Sequence, residues 1–186
     1  MKIKNILLFF LLVGFVSTSC EKSDIHHSRD FDKSYQKWLE FKEATGNSYR
    51  YQVVTSSWVG YSMETTITVE KGEVIQRHYK WNIHPHSGMD IEDIPEEMLE
   101  WTENDEEVGL HGSESGAALP FTLDEIYAMA PQWLARRKGV TPSLETNNNG
   151  MISSCGYWPQ NCADDCFVGI SIRFIEAFFP DQSEEE

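Results

Sequence analysis

The sequence predicts an α+β domain in which an antiparallel sheet is packed by two helices and ends in a hairpin carrying a cysteine loop. Three observations predict this class: an amphipathic segment with helical periodicity, several segments that alternate polar and apolar residues, and a helix start with a capping box. The domain is expected to span residues 30–180 of the 186-residue chain, followed by an acidic tail at 181–186.

The two helices are predicted from their apolar faces and boundary residues. The first has apolar residues at i, i+4, i+7 and i+8, which share one face: Phe31, Tyr35, Trp38 and Leu39. Gly46-Asn47 follows as its stop. The second begins at Thr122, where Glu125 completes a capping box. Pro131 interrupts the second helix, which either kinks there or restarts with the proline as its first residue.

The strands are predicted from period-two alternation and turn residues. The segments concerned are residues 49–53, 63–69, 73–81, 143–146, 151–157 and 167–178. Lys71-Gly72 and Asn149-Gly150 are strong signals for tight hairpin turns. Between the two halves, residues 84–118 show little regularity beyond a short helix at 96–101. A connection this long is expected to carry function, so we expect a binding surface there.

The N-terminus has the pattern of a bacterial lipoprotein signal peptide, predicted for residues 1–19. Lys2 and Lys4 precede an apolar stretch at 6–16, which is too short to span a bilayer as a mature helix. Small residues then lead directly to Cys20, where signal peptidase is expected to cleave and fatty acyl chains such as palmitate are expected to be attached. More than one acyl chain holds a protein firmly on a membrane.

Lipidation predicts a chain anchored to the outer membrane, on its periplasmic or cell-surface face, with residues 20–29 as a polar tether. Residues 21–24 are charged in a way that resembles surface-export signals of Bacteroidetes lipoproteins. The alternative is an ordinary secretory signal, after which Cys20 pairs with another cysteine.

The chain is acidic, with 30 Asp and Glu against 15 Lys and Arg and a formal net charge of −15. This argues against nucleic acid as a partner, because such binding depends on Lys and Arg meeting phosphates. It also argues against docking on an anionic membrane face. Six tryptophans are spread along the chain, and they are expected either to belong to the core or to line a glycan-binding surface.

Three cysteines, Cys155, Cys162 and Cys166, follow the lipidation site. In an oxidising compartment two of them are expected to pair, and opposing hairpin strands favour Cys155 with Cys166 over Cys155 with Cys162. The alternative is a zinc site built from all three cysteines and one histidine. The candidate histidines are His78, His84, His86 and His111.

A calcium site is a further alternative in the second hairpin. Glu145, Asn147 and Asn149 place oxygen ligands at alternate positions, and Gly150 is the sixth residue, as in the first half of an EF-hand loop. The twelfth position is Gly156 instead of glutamate, and the flanks read as strands. The tight turn explains the same residues without a metal, so no cofactor is predicted.

The order of elements resembles a family of secreted Bacteroidetes-type lipoproteins with a domain of unknown function. The resemblance is carried by residues 49–51, 66–74 and 122–127, and by Asn149-Gly150 before Asp164-Asp165. The cysteines around the last pair depart from the plainer pattern of the family. The resemblance implies an α+β domain and offers no catalytic residue.

These observations predict a lipid-anchored cell-envelope protein that acts by binding, with another protein as the expected partner. The expected surface combines the connection at 84–118 with the cysteine loop. The alternative is a metal-binding or enzymatic ectodomain that uses the C-terminal cysteines and the loop histidines. The enzyme case depends on His111 as a base for a thiol, since the sequence contains no nucleophile elbow, zinc-protease or phosphate-loop motif.

Overall fold

The structure, a computed structural model, describes residues 25–84, 94–163 and 166–180. The helices and strands within these residues are α1 (Ser28–Ala44), β1 (Tyr49–Ser57), β2 (Tyr61–Glu70), β3 (Glu73–Ile83), α2 (Glu96–Leu99), β4 (Glu100–Asn104), α3 (Leu123–Leu134), β5 (Val140–Glu145), β6 (Ser154–Pro159) and β7 (Val168–Ala177). Short 3-10 turns lie at Asp105–Glu107 and Ser113–Ser115. The predicted α+β class is confirmed.

The strands form one antiparallel sheet in the order β4-β3-β2-β1-β7-β6-β5. The first and last strands are neighbours, with Tyr49 of β1 opposite Ala177 of β7. Buried side chains of α1 and α3 pack with those of the central strands in one hydrophobic core. The predicted sheet packed by two helices is therefore present, and α2 adds only a single turn before β4.

The buried face of α1 differs from the predicted one. Trp38 is fully buried, but Tyr35 and Leu39 are 39% and 37% exposed, and Ser34 is buried in their place. The cause is Tyr127 of α3, whose hydroxyl lies 2.8 Å from the Ser34 Oγ and also donates to the Ser34 carbonyl. A small polar residue thus occupies a buried turn of α1 that apolar periodicity alone does not predict.

The domain begins earlier than predicted. Ile25 forms an isolated bridge with Ala135 after α3, and α1 starts soon afterwards. Residues 25–29 therefore belong to the domain, and the tether predicted at 20–29 is wrong for them. Three predicted segments lie outside the described residues: the signal peptide at 1–19, the rest of the tether at 20–24 and the acidic tail at 181–186.

The predicted start of the second helix is confirmed. The Thr122 side chain accepts from the backbone N–H of Glu125, and the Glu125 carboxylate accepts from the Thr122 backbone N–H. Pro131 lies inside α3, which continues to Leu134, so the predicted alternative of a restart at the proline is wrong. The helix start is also attached to the sheet, because the Leu123 N–H donates to the Tyr49 hydroxyl at 2.8 Å.

Both predicted tight turns are present. Lys71-Gly72 has φ angles of 50° and 92°, and Asn149-Gly150 has 53° and 89°. Positive φ at both central residues is what a type I′ hairpin turn requires, and Asn and Gly tolerate it best. The second hairpin is wider than predicted, because its ladder begins only at Glu145 opposite Ser154.

The sequence does not predict β4, which lies inside the connection expected to be irregular. Its register with β3 places Glu103 opposite Arg77 on the same face of the sheet as the core residue Ile67. The segment between β4 and α3 folds back over this face, where the Ala118 carbonyl accepts from Arg77 and the Ala118 N–H donates to the Thr65 Oγ1. Residues 85–93 of the connection lie outside the described residues.

Candidate functional site

A groove of about 650 Å³ lies on the sheet where β5, β6 and β7 meet β1. Residues directly opposite one another on paired strands share a face. Glu145, Ser154 and Ser171 form one such row across β5, β6 and β7. Their neighbour Cys155 is buried in the core, so the row faces away from the helices and into the groove.

Gly169 lines the groove, and its cross-strand neighbour Gly156 is buried beside the Phe167 ring. Ser143 lies opposite Gly156, which lies opposite Gly169. A Cβ atom at Gly156 would lie 2.5 Å from the Phe167 ring, and one at Gly169 would lie 2.2 Å from the Cys155 carbonyl oxygen. Larger residues at these two positions would therefore displace the Phe167 ring or the backbone of the neighbouring strand.

An aromatic pair forms one wall. The rings of Trp158 and Phe167 lie with centroids 5.1 Å apart, and Trp158 is 49% exposed. The two residues flank the loop between β6 and β7, which is closed by the Cys162–Cys166 pair with a Cα–Cα distance of 6.1 Å. The cysteine loop therefore borders the groove.

The lining has the chemistry of a site for an uncharged polar ligand. Hydroxyl groups dominate its polar part, and Glu145 is its one carboxylate among the described residues. Neither Lys, Arg nor His lines it within the described part of the chain, so it offers nothing to neutralise an anion. An exposed tryptophan beside several hydroxyls suits a ligand that has both a flat apolar face and hydrogen-bonding groups.

The predicted pairing of Cys155 with Cys166 is wrong, as is the alternative with Cys162. Cys162 and Cys166 pair with each other, and Cys155 is a free, fully buried thiol. The register explains this, because Cys155 lies opposite Ile170, beyond Cys166, and faces the core. Burial raises the pKa of the Cys155 thiol to about 12.

We expect Cys155 to resist thiol reagents in the folded chain, because its sulfur is both buried and protonated. With Cys20 acylated or replaced by serine, a maleimide should add to no thiol under native, non-reducing conditions and to one thiol after unfolding. Intact-mass spectrometry before and after denaturation, followed by peptide mapping of the disulfide, measures this. Native labelling at Cys155, or a mapped Cys155–Cys166 peptide, would contradict the assignment.

The histidines do not assemble the predicted zinc shell. His84 is exposed after β3, His78 pairs with a glutamate of β4, and His111 contacts Glu103. His86 lies outside the described residues. With two cysteines bonded to each other and the third in the core, the Cys3His site is wrong. No group of three or more metal-binding side chains occurs in residues 25–84, 94–163 and 166–180.

The predicted calcium ligands lie around the hairpin turn. The Glu145 carboxylate accepts from the Asn147 side-chain amide at 3.3 Å, and Asn149 occupies a left-handed position before Gly150. Asn148, which the calcium pattern does not use, donates its amide to two backbone carbonyls at 3.0 and 3.1 Å. The residues are thus arranged around the turn.

A second polar cluster anchors the segment between β4 and α3. Glu103 and Arg77 are 2% and 0% exposed and form a two-point ion pair at 2.8 and 2.9 Å. The same carboxylate accepts backbone N–H groups of Gly109 and His111 and lies 2.8 Å from the His111 Nδ1. The Trp101 ring stacks on the His111 ring with a centroid distance of 3.9 Å.

This network holds Glu103 ionised. Burial alone raises the pKa of Glu103, but the hydrogen bonds from Arg77, Gly109 and His111 outweigh it and lower that pKa to about 2. Each group in the network has a partner, and Arg77 also donates to the carbonyls of Ala118 and His111. The cluster is therefore a structural anchor for the segment between β4 and α3.

No known protein family, curated protein or solved structure matches the chain. Among the residues that the structure describes, no helix is both long and apolar enough to cross a membrane. The groove and the Arg77–Glu103 cluster are thus assigned from the geometry alone. The class that this geometry defines is a small α+β domain whose groove lies on the sheet face turned away from the helices.

Proposed function

We propose that the chain is a lipid-anchored cell-envelope protein that binds an uncharged, hydroxyl-rich ligand, of which a saccharide is the simplest example, in the groove between β1 and β5–β7. The groove carries this proposal, because it combines an exposed aromatic wall with several hydroxyl side chains and has no cation among its described lining residues. The pattern ending at Cys20 supports the anchor. The short distance in sequence between Cys20 and Ile25 would keep the domain near the membrane.

Neutral oligosaccharides titrated into the protein test the groove. We expect a saturable change in tryptophan fluorescence, and we expect Trp158→Ala to weaken the affinity about tenfold because a stacked ring loses its platform. Trp58→Ala is the matched control, since Trp58 is 73% exposed but does not line the groove. Equal affinities of the two variants, or no saturable signal with any sugar, would contradict the proposal.

A protein partner at the connection is a second candidate, favoured by exposed apolar side chains there. Leu110 is 75% exposed and Met98 is 57% exposed. A deletion across the connection would not test this, because it would remove Glu103 and leave Arg77 buried and unpaired. Leu110→Ser leaves that ion pair in place, so loss of a partner from crosslinked envelope fractions of this variant alone would support this candidate.

A further inference from the structure

The unpaired positive charges of the domain are gathered at one place. Four cations have no carboxylate partner within the described residues, and they form what we name the entry cluster: Arg29, Arg136, Arg137 and Lys138. The other described Lys and Arg side chains lie 3.7 Å or less from an Asp or Glu oxygen. The entry cluster is exposed, and the Arg137 guanidinium lies 4.4 Å from the Tyr157 ring centroid.

The entry cluster surrounds the point where the chain enters the domain. Arg29 is in the first turn of α1, just after Ile25, and the other three cations follow Ala135. Ile25 and Ala135 are bridged, so the two parts of the cluster are adjacent. Lys33 neutralises the nearby Asp30 at 3.7 Å.

Exposed apolar side chains lie at the same end of the sheet. β1 and β6 both run antiparallel to β7, so their last residues, Ser57 and Pro159, lie at one end. Val140, which follows the entry cluster, pairs with Pro159 there. Trp58 in the β1–β2 turn is therefore at this end. It lies about three strand spacings, or roughly 15 Å, across the sheet from the start of β5, which follows the entry cluster.

The chain length before the domain fixes which end can face a membrane. Five residue steps separate Cys20 from Ile25, and at most about 3.5 Å per step they reach roughly 17 Å. β2 alone has ten residues and is about 30 Å long. With an acyl anchor at Cys20, the end that holds the entry cluster must be the end nearest the bilayer.

We propose that this end is a membrane-docking surface, in which the entry cluster binds the phosphates of anionic lipid headgroups and Trp58 enters the interface. Basic residues near a membrane are attracted to anionic headgroups, and tryptophan favours the interface. The net charge of −15 argues against such docking for the surface as a whole, but the four exposed cations of the entry cluster make this end an exception. Acidic residues elsewhere would be repelled from the same membrane and would help to orient the domain.

The inference rests on the proposed lipid anchor, and the test keeps the two apart. The acylated protein is reconstituted into phosphatidylcholine vesicles with and without phosphatidylglycerol, using lipids brominated on the acyl chain near the headgroup. The quenching that belongs to Trp58 is the fluorescence quenching of the native chain minus that of the Trp58→Phe variant. We expect quenching that is stronger with phosphatidylglycerol and that falls to the Trp58→Phe level when Arg136, Arg137 and Lys138 are all changed to glutamine.

A charge-matched variant is the control. Changing Lys37, Lys42 and Lys71 to glutamine removes the same charge from ion-paired positions and should leave the quenching unchanged. Equal quenching in both triple variants, or no Trp58 quenching in either vesicle, would overturn the docking surface. The unacylated Cys20→Ser chain gives a further check. If it forms a dimer that becomes monomeric when Trp58→Ser is added, the surface binds a second copy of the chain and the docking surface is overturned. Absence of acyl groups by mass spectrometry would instead refute the anchor.

Discussion

Replacing Glu103 with glutamine is expected to lower the free energy of unfolding by about 3–5 kcal/mol, because it leaves the Arg77 guanidinium buried without its counter-charge. The glutamine amide would also present N–H groups to backbone donors that now meet a carboxylate oxygen, namely Gly109 and His111. Urea denaturation of the two proteins at neutral pH measures the difference. This difference in the free energy of unfolding should be larger than that caused by most single substitutions.

The matched control is Glu100→Gln on the same strand. Glu100 is ion-paired as well, to Lys80, but its side chain is 48% exposed, so a far smaller loss of unfolding free energy is expected.

The stability of the two proteins in acid gives an independent check. The lowered pKa of Glu103 means that its contribution is complete above about pH 4.5 and is lost as pH falls towards about 2. The difference in unfolding free energy between the native and Glu103→Gln proteins should therefore close over that pH interval. A difference that stays constant with pH would contradict this account, as would equal losses for Glu100→Gln and Glu103→Gln.

Removing the hydroxyl of Tyr127 is expected to cost about 2–4 kcal/mol, although Tyr127→Phe deletes a single atom. The Tyr127 hydroxyl donates to the Ser34 carbonyl at 3.1 Å and accepts from the Ile152 N–H, also at 3.1 Å. It also lies 2.8 Å from the Ser34 Oγ. It therefore joins α1, α3 and the chain that enters β6. Phenylalanine would leave these buried polar groups without a partner.

Tyr35→Phe is the control for this substitution. Its ring lies 5.5 Å from the Tyr127 ring, but the residue is 39% exposed, so water can replace any bond that its hydroxyl loses. Thermal unfolding followed by circular dichroism would compare the three proteins. Similar melting temperatures for Tyr35→Phe and Tyr127→Phe would mean that the buried hydroxyl does not connect the layers as described.

Local sequence signals predict the parts of this fold that depend on local physics. The capping box at Thr122 and the Asn149-Gly150 turn are set by residues that are close in sequence, and both are present. β4 is different, because its acidic residues have low strand propensity and its stability comes from Arg77, which is distant in the chain. The buried Ser34 depends in the same way on Tyr127.

The cysteine pairing and the groove both depend on register, which spacing alone does not give. While the loop length of the hairpin is unknown, Cys155 has several possible partners. The observed register places it opposite Ile170 with its side chain in the core. The groove residues come from five strands, and several of them are serines that carry no distinctive sequence pattern. Only the assembled sheet shows that the row of Glu145, Ser154 and Ser171 lies beside Trp158 in one groove.

The adjacency of β1 and β7 has a kinetic consequence. The central pairing of the sheet joins the start of the domain to its end, so β1 keeps an unpaired edge until β7 has been made and docked. During that interval Tyr51 and Val53 present a strand edge to any other chain that is also incomplete. Folding is therefore a whole-chain event, in which the pairing of β7 with β1 covers an edge that would otherwise stay open to other chains.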